Sequence, residues 1–196
     1  LQLPVGAFYM LTYTINGAGS IQVEAIYTPT AENIPQLPKF GMRMKLPASM
    51  NNVEWYGRGP FENYPDRKQA AFFGHYTMGV DTFKTDYLVP QDNANRCDTR
   101  WFSLGDPKGN ALNVRGLQPL CFRIWPYEEQ DLETYQHAHE LPTRSYNTVN
   151  IDLNIKGVGG NDSWGARTLE AYTIDGNTPY KYGFILSISD KNLPLN

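Results

Sequence analysis

Segment after segment of this chain alternates apolar and polar side chains with a period of two, and clusters of glycine, proline and asparagine separate the segments. Such alternation places every second side chain on one face of an extended strand. Long alanine- or leucine-rich runs of helical period are absent, so the pattern predicts an all-β fold, a sandwich or barrel with little helix. Residues 8–15 and 20–27 alternate on either side of Asn16, Gly17, Ala18 and Gly19, which predicts a hairpin. Three prolines in residues 28–38 predict a connecting loop, and residues 40–46 resume alternation through Met42 and Met44. In residues 148–155, Val149, Ile151, Leu153 and Ile155 alternate with Asn150, Asp152 and Asn154, the signature of a half-buried strand. Residues 180–189 point Tyr182, Phe184, Leu186 and Ile188 inward, and residues 190–196 read as a tail.

A chain of 196 residues can bury one substantial core, and single all-β domains reach about 200–250 residues, so one domain is expected over residues 1–196. The net charge of -3 gives no basic footprint, which sets aside nucleic acid and anionic membranes as partners. No apolar run approaches the roughly 18 residues of a spanning helix. Leu1 to Gly6 shows neither an initiator methionine nor a signal segment, which predicts an internal piece of a longer chain. Cys97 and Cys121 are too few for a disulfide framework and are expected to be buried thiols, leaving the compartment open, cytoplasmic or periplasmic.

The alternating segment at 148–155 runs straight into residues 157–165, Gly-Val-Gly-Gly-Asn-Asp-Ser-Trp-Gly. Glycines there permit positive φ and close backbone approach, while Asn161, Asp162 and Ser163 can bond the freed amides, so the loop can be rigid without being regular. Its tip presents Trp164. An indole offers a flat apolar face with an N–H at its edge, which suits the C–H face of a sugar; equally, it can fold back as a lid on the core.

Residues 53–67 read as a short strand ending at Tyr56 and then an irregular loop that carries Arg58, Glu62, Asp66 and Arg67 among aromatics. At this density the charges form either a recognition surface or an ion-pair lattice that locks the loop. Residues 70–76 are another strand candidate. The amide-rich run from Gln91 to Arg96, including Asp92 and Asn93, fits turn capping or the recognition of sugar hydroxyls. Arg96 and Arg100 lie four apart before Trp101, and strand alternation would put both on one face, in reach of Asp92, Asp98 or Glu62. Residues 117–125 predict a strand, and within residues 126–136 Leu132 and Tyr135 predict one short amphipathic helix on a sheet face. His137 and His139 share a face if extended, but no third metal ligand stands near them in sequence.

Three motifs in this order, residues 55–67 (WYGRGPFENYPDR), 87–101 (YLVPQDNANRCDTRW) and 157–165 (GVGGNDSWG), resemble the C-terminal or small-chain domain of the family 2 β-galactosidases. Two positions depart from the family pattern, which usually has Glu where Asp92 stands and often Gly where Ala94 stands. The resemblance implies a twisted antiparallel β-sandwich of the galactose-mutarotase-like type, with further strands of the same domain before Leu1. It implies partner domains, including a (β/α)8 barrel that carries both catalytic glutamates, and a galactoside as the sugar. No cofactor is implied in this domain, the family's Mg and Na ions lying elsewhere. The tryptophan matching Trp164 would stack on the sugar at the mouth of that barrel, with Asn161 and Asp162 beside it, and with its partner domain absent it should be more exposed than Trp55, Trp101 or Trp125.

Retaining glycoside hydrolysis needs two carboxyl groups about 5 Å apart, and no such pair is evident here, so the chain alone is expected to be inactive. Two other readings remain on the same fold: a free-standing sugar-binding module, and an aldose 1-epimerase-like enzyme in which His75, His137 or His139 would work with Glu128, Glu133 or Glu140. If strands are missing before Leu1, the uncovered early strands should pair with a second copy as a homodimer.

Overall fold

The computed structural model describes residues 2–3 and 6–189, so the expected tail at 190–196 lies outside the described residues. Among the described residues ten strands carry the fold: β1 (Gln2–Leu3), β2 (Ala7–Ile15), β3 (Ile21–Pro29), β4 (Lys39–Pro47), β5 (Asn52–Gly59), β6 (Phe72–Gly79), β7 (Arg96–Gly105), β8 (Ala111–Trp125), β9 (Tyr146–Ile155) and β10 (Tyr180–Ser189). Two short α-helices, α1 (Val80–Phe83) and α2 (Glu129–Thr134), are described beside them. All the strand pairs are antiparallel, in the order β1-β2-β3-β10-β8-β7-β5-β6, with β9 and then β4 branching from β8.

The long strand β8 makes this a sandwich. Its first half, Ala111 to Gly116, pairs with β10, whereas Cys121 to Trp125 pairs with β9. Where the ladder to β10 ends, the Gln118 side chain takes it over, donating to Gly183 O and accepting from Gly183 N, both at 3.1 Å. A Cβ on Gly116 would stand 2.2 Å from Gln118 O, so the bend requires glycine. The two branches then stack: Phe40 of β4 meets Tyr9, Tyr27 and Tyr182 at ring distances of 5.8, 6.0 and 5.3 Å, and the Tyr182 hydroxyl donates to Ile151 O at 3.1 Å. Further along the same core Phe102 stacks on Phe122 at 4.2 Å, and Trp55 packs against Tyr76 and Phe83.

The hairpin, β4 and β10 form where the sequence pattern places them, and β3, β4 and most of β10 bury one face; β2 is largely exposed on both faces beyond Ala7, and Ile188 of β10, expected inward, is exposed. Other elements differ from the pattern. β5 runs through Gly57 and Gly59 instead of ending at Tyr56: Gly57 lies against Thr99, whose Cα would be 2.8 Å from an added Cβ, so it permits close strand approach, and Gly59 leaves room for the rings of Trp55 and Tyr76. β8 starts at Ala111, earlier than the expected 117, and α1 had no periodic signal. β9 is not half-buried. Its polar residues Thr148, Asn150 and Asp152 are 0–1 % exposed, on a face shared with the buried Arg123 of β8, around which Asp92, Tyr64 and Glu129 stand. A register shift opposite Phe40 and Gly41 also breaks the alternation, so Val149 and Ile151 enter the main core while Ile155 joins a separate cluster with Tyr64, Cys97 and Cys121.

One end of the core face is open. Leu11, Tyr13 and Ile15 on β2 and Ile188 on β10 continue the row of Val23 and Phe184 by register, yet Ile15 is 71 % and Ile188 74 % exposed.

Candidate functional site

β9 leads into the glycine loop, and the loop's foot is fixed. Gly157 N donates to Tyr172 O at 2.8 Å, Thr168 Oγ1 donates to Gly157 O at 3.0 Å, and Gly159 N donates to Asp66 Oδ2 at 2.8 Å. An added Cβ on Gly157 would come within 2.6 Å of the Asp66 carboxylate, so only glycine allows the loop to sit on that side chain. Gly159, Gly160 and Gly165 adopt φ of 69°, 77° and 85°, the left-handed region.

At the tip, Asp162 Oδ1 accepts from Trp164 N at 2.9 Å and Ala166 N at 3.1 Å, an Asx-type cap that organises the turn internally. Those amides, Ala166 first, hold the Asp162 carboxyl below its ordinary range. Asn161 is exposed beside it. Trp164 is 92 % exposed, while Trp55 and Trp125 are fully buried and Trp101 is half-buried. Of the two orientations open to this indole, the structure takes the outward one.

Asp66 lies in the loop after β5, whose other charged residues form a lattice with the amide-rich run. Glu62 receives Arg67 at 2.9 Å, the Tyr87 hydroxyl, and Ala94 N at 2.7 Å. Arg58 reaches Asp98 at 2.6 Å and the carbonyls of Lys68 and Ala71. The Asp98 carboxyl is partly buried, which alone would raise its pKa, but Arg58 and Lys68 outweigh this and hold it below the usual range. Asn93 donates to the Tyr127 hydroxyl at 3.0 Å and to Gln91 O, and accepts from Thr85 N. Asp92 accepts from the Tyr64 hydroxyl at 2.7 Å and lies 3.5 Å from Arg123. Ala94 keeps φ of 67° without glycine, its amide held by Glu62.

Arg96 and Arg100 do not share a face. Register shifts around Asp98 and Thr99, with Asp98 at φ of 54°, reverse the alternation between them. Arg96 is buried, donates to Ala94 O and Phe83 O, and lies 4.1 Å above the Phe83 ring; burial pushes its pKa down to about 10. Arg100 is exposed over Phe73 and stays outside the lattice.

Sequence reasoning missed the polar row beneath this lattice. Arg123, fully buried in β8, faces Asn150 across the β9 ladder and lies 3.4 Å from Asp152. Gly41 makes room for Asp152, whose carboxylate an added Cβ would meet at 1.8 Å. Burial raises the Asp152 carboxyl to about 6 even with Arg123 beside it. Burial opposes the Arg123 charge, but Asp152 and Asp92 outweigh it and raise the guanidinium pKa. The available signal was an arginine inside the apolar run from Cys121 to Trp125, a place where a charge needs partners.

Of the histidine–glutamate pairs the sequence offers, His137 Nδ1 lies 3.6 Å from Glu140 Oε2. His75 is exposed on β6 and contacts Glu54 at 2.6 Å. His137 precedes a short 3-10 turn (Ala138–Glu140) that contains His139, their rings stacked at 5.5 Å, and the Glu140 carboxylate accepts from the amides of Gln136 and His137. Glu128 is bound to Lys45 and the Tyr146 hydroxyl. Among the described residues no three His, Cys, Asp or Glu side chains converge in a way that could hold a metal ion.

The family described as Beta galactosidase small chain matches residues 3–186. A beta-galactosidase of Priestia megaterium is 36% identical over 176 residues, which cover 90% of this chain and 17% of that protein. Those of Vibrio cholerae and Lactobacillus delbrueckii subsp. bulgaricus are 38% and 36% identical over 78% and 84% of the chain, and the matches cover 14% and 16% of those proteins. This chain thus spans about a sixth of the length of these relatives. With a match over nearly its whole length, the chain belongs to the β-galactosidase small-chain family.

Proposed function

We propose that the chain serves a β-galactosidase as its C-terminal sandwich domain, completing the mouth of an active site whose catalytic carboxylates lie on a separate barrel. Trp164 is the sugar platform and Asp162 and Asn161 shape its surroundings. The observation that carries this reading is the exposure of Trp164, 92 %, on a loop that is anchored at its foot and capped at its tip. A large ring held outward by a fixed backbone has been positioned for a partner surface or a ligand. Stacking on the C–H face of a galactoside contributes on the order of 1 kcal/mol, a contribution to binding and not to proton transfer.

The partly buried ion pairs of the lattice fit a supporting role: they fix the loop after β5, from which Asp66 reaches the glycine loop. The purified chain alone should not hydrolyse a chromogenic β-galactoside, whereas the same chain joined to the preceding domains of the parent enzyme should. Turnover by the isolated chain, persisting through purification to homogeneity, would overturn this reading.

A further inference from the structure

Cys97 of β7 and Cys121 of β8 are free thiols, 2 % and 5 % exposed. Arg96 pairs with Phe122 across the ladder, and the two cysteines are the next residue along each antiparallel strand, so they face each other. Their sulfurs stand 3.6 Å apart, the Cys121 thiol donating to Cys97 Sγ. Directly opposed residues of an antiparallel pair have Cα atoms about 4.5–5.5 Å apart, within the range that a disulfide spans, and the bond requires the sulfurs to close to about 2.05 Å. Small rotations about the two Cα–Cβ bonds cover that distance with the strands in place. Both cysteines line a cleft of about 350 Å³, together with Lys68, Asp98, Leu153 and Tyr172. A molecule as small as hydrogen peroxide reaches the sulfurs through it. Tyr172 O also accepts from Gly157 N, so the pair borders the foot of the glycine loop.

The two sulfurs are not equivalent. The Cys97 amide donates to Asn63 Oδ1 at 2.8 Å, which fixes its backbone, and Asn95 Nδ2 donates to Cys97 Sγ at 3.3 Å. Two donors, Asn95 and Cys121, thus converge on Cys97 Sγ and stabilise the negative charge that develops there as it attacks. Cys121 gives its proton to that contact, and the hydrogen bond together with burial holds its thiol well above the ordinary pKa. We infer that Cys97 and Cys121 are a site of reversible oxidation, at which a hydroperoxide closes a cross-strand disulfide. Cys97 Sγ attacks the peroxide oxygen, the O–O bond breaks, the leaving oxygen takes up the Cys97 proton, and Cys97 becomes a sulfenic acid. Cys121 Sγ then attacks that sulfur, the S–O bond breaks, and hydroxide leaves as water with the Cys121 proton. Two electrons have passed from the thiols to the peroxide, and a small dithiol returns them by exchange.

The test treats the folded, reduced chain with hydrogen peroxide, quenches with catalase and alkylates remaining thiols with iodoacetamide in denaturant. Peptide mapping should then find the tryptic peptides 97–100 and 116–123 joined, at the expense of their alkylated forms, and dithiothreitol should release them. In Cys121→Ser, Cys97 should stop at the sulfenic acid and take up dimedone. In Cys97→Ser, Cys121 should remain a thiol open to alkylation. If either serine variant fails to fold, the alanine variant replaces it. Absence of the joined peptides from the folded chain would overturn the inference. So would a link that joins two chains instead of one, seen as a species of doubled mass without reductant, or oxidation of Cys121 in Cys97→Ser as fast as that of Cys97 in Cys121→Ser.

Discussion

Asp66 Oδ2 accepts a hydrogen bond from the Gly159 amide at 2.8 Å, tying the loop after β5 to the foot of the loop that carries Trp164. The two segments are 93 positions apart in the chain. The contact makes the charged lattice and the exposed indole parts of one device, in which Glu62, Arg67 and Tyr87 hold the segment that holds Asp66.

Asp66→Ala should therefore loosen the loop without unfolding the sandwich. The lost charge-assisted hydrogen bond is worth about 1.5–3 kcal/mol, part of it recovered by solvation of the freed amide. Hydrogen exchange should show the Gly159 amide exchanging faster while amides of β8 and β9 keep their protection. Equal acceleration in β9 would mean that Asp66 supports the fold and not the loop in particular.

Arg123→Met should destabilise the chain by about 3–5 kcal/mol, because it leaves Asp152 and Asp92 facing each other without the cation between them. Adding Asp152→Leu should restore part of the loss, since replacing a whole buried pair costs less than breaking it. Chemical denaturation of the two variants measures both quantities, and an Arg123→Met midpoint equal to that of the parent chain would remove Arg123 as the charge centre of the row.

The raised Asp152 pKa, about 6 against an ordinary 3.8, has a signed consequence for stability. Between about pH 4 and 6 the folded carboxyl retains a proton that the unfolded chain has released, so this group's contribution falls as pH rises through that window. The full difference is on the order of 3 kcal/mol and is constant above it. The depressed carboxyls of Asp98 and Glu129 act the other way, but only at and below their ordinary range near pH 4. Thermal melts at pH 5 and pH 7 should show the parent gaining stability on acidification relative to Asp152→Asn. Identical pH dependence in the two proteins would contradict the assignment.

The open end of the core face supports the proposal that the isolated chain pairs with a second copy through β2 and β3. Ile15→Lys, at a position 71 % exposed, should leave the melting temperature near that of the parent and shift the species seen by light scattering toward monomer. A parent chain that is monomeric at micromolar concentration would dispose of this proposal.

What the sequence disclosed follows from how each element is buried. β3, β4 and β10 bury one face over most of their length and print their period directly, and β2 carries the same period although its apolar face stands exposed. β9 buries both, and Asn150 and Asp152, read as the polar face of a half-buried strand, instead stand around the buried Arg123, a long-range pairing that no local pattern predicts. Gly57 and Gly59 look like strand breakers until Thr99 is seen packed against the first of them. Arg96 and Arg100 part company because a bulge at Asp98, invisible to a period of two, lies between them. The glycine loop was the most legible part of the site, since its conformation depends on glycines and an Asx cap that are local in sequence, whereas its anchor to Asp66 is not.

The most direct test of the proposed Trp164 platform is steady-state kinetics of the full-length protein that carries this domain, with Trp164→Ala, using a chromogenic β-galactoside. A stacking contribution on the order of 1 kcal/mol predicts a KM raised about fivefold with kcat changed less, as for an interaction made equally in the ground and transition states. Unaltered KM and kcat would show that the exposed indole is not where the sugar binds.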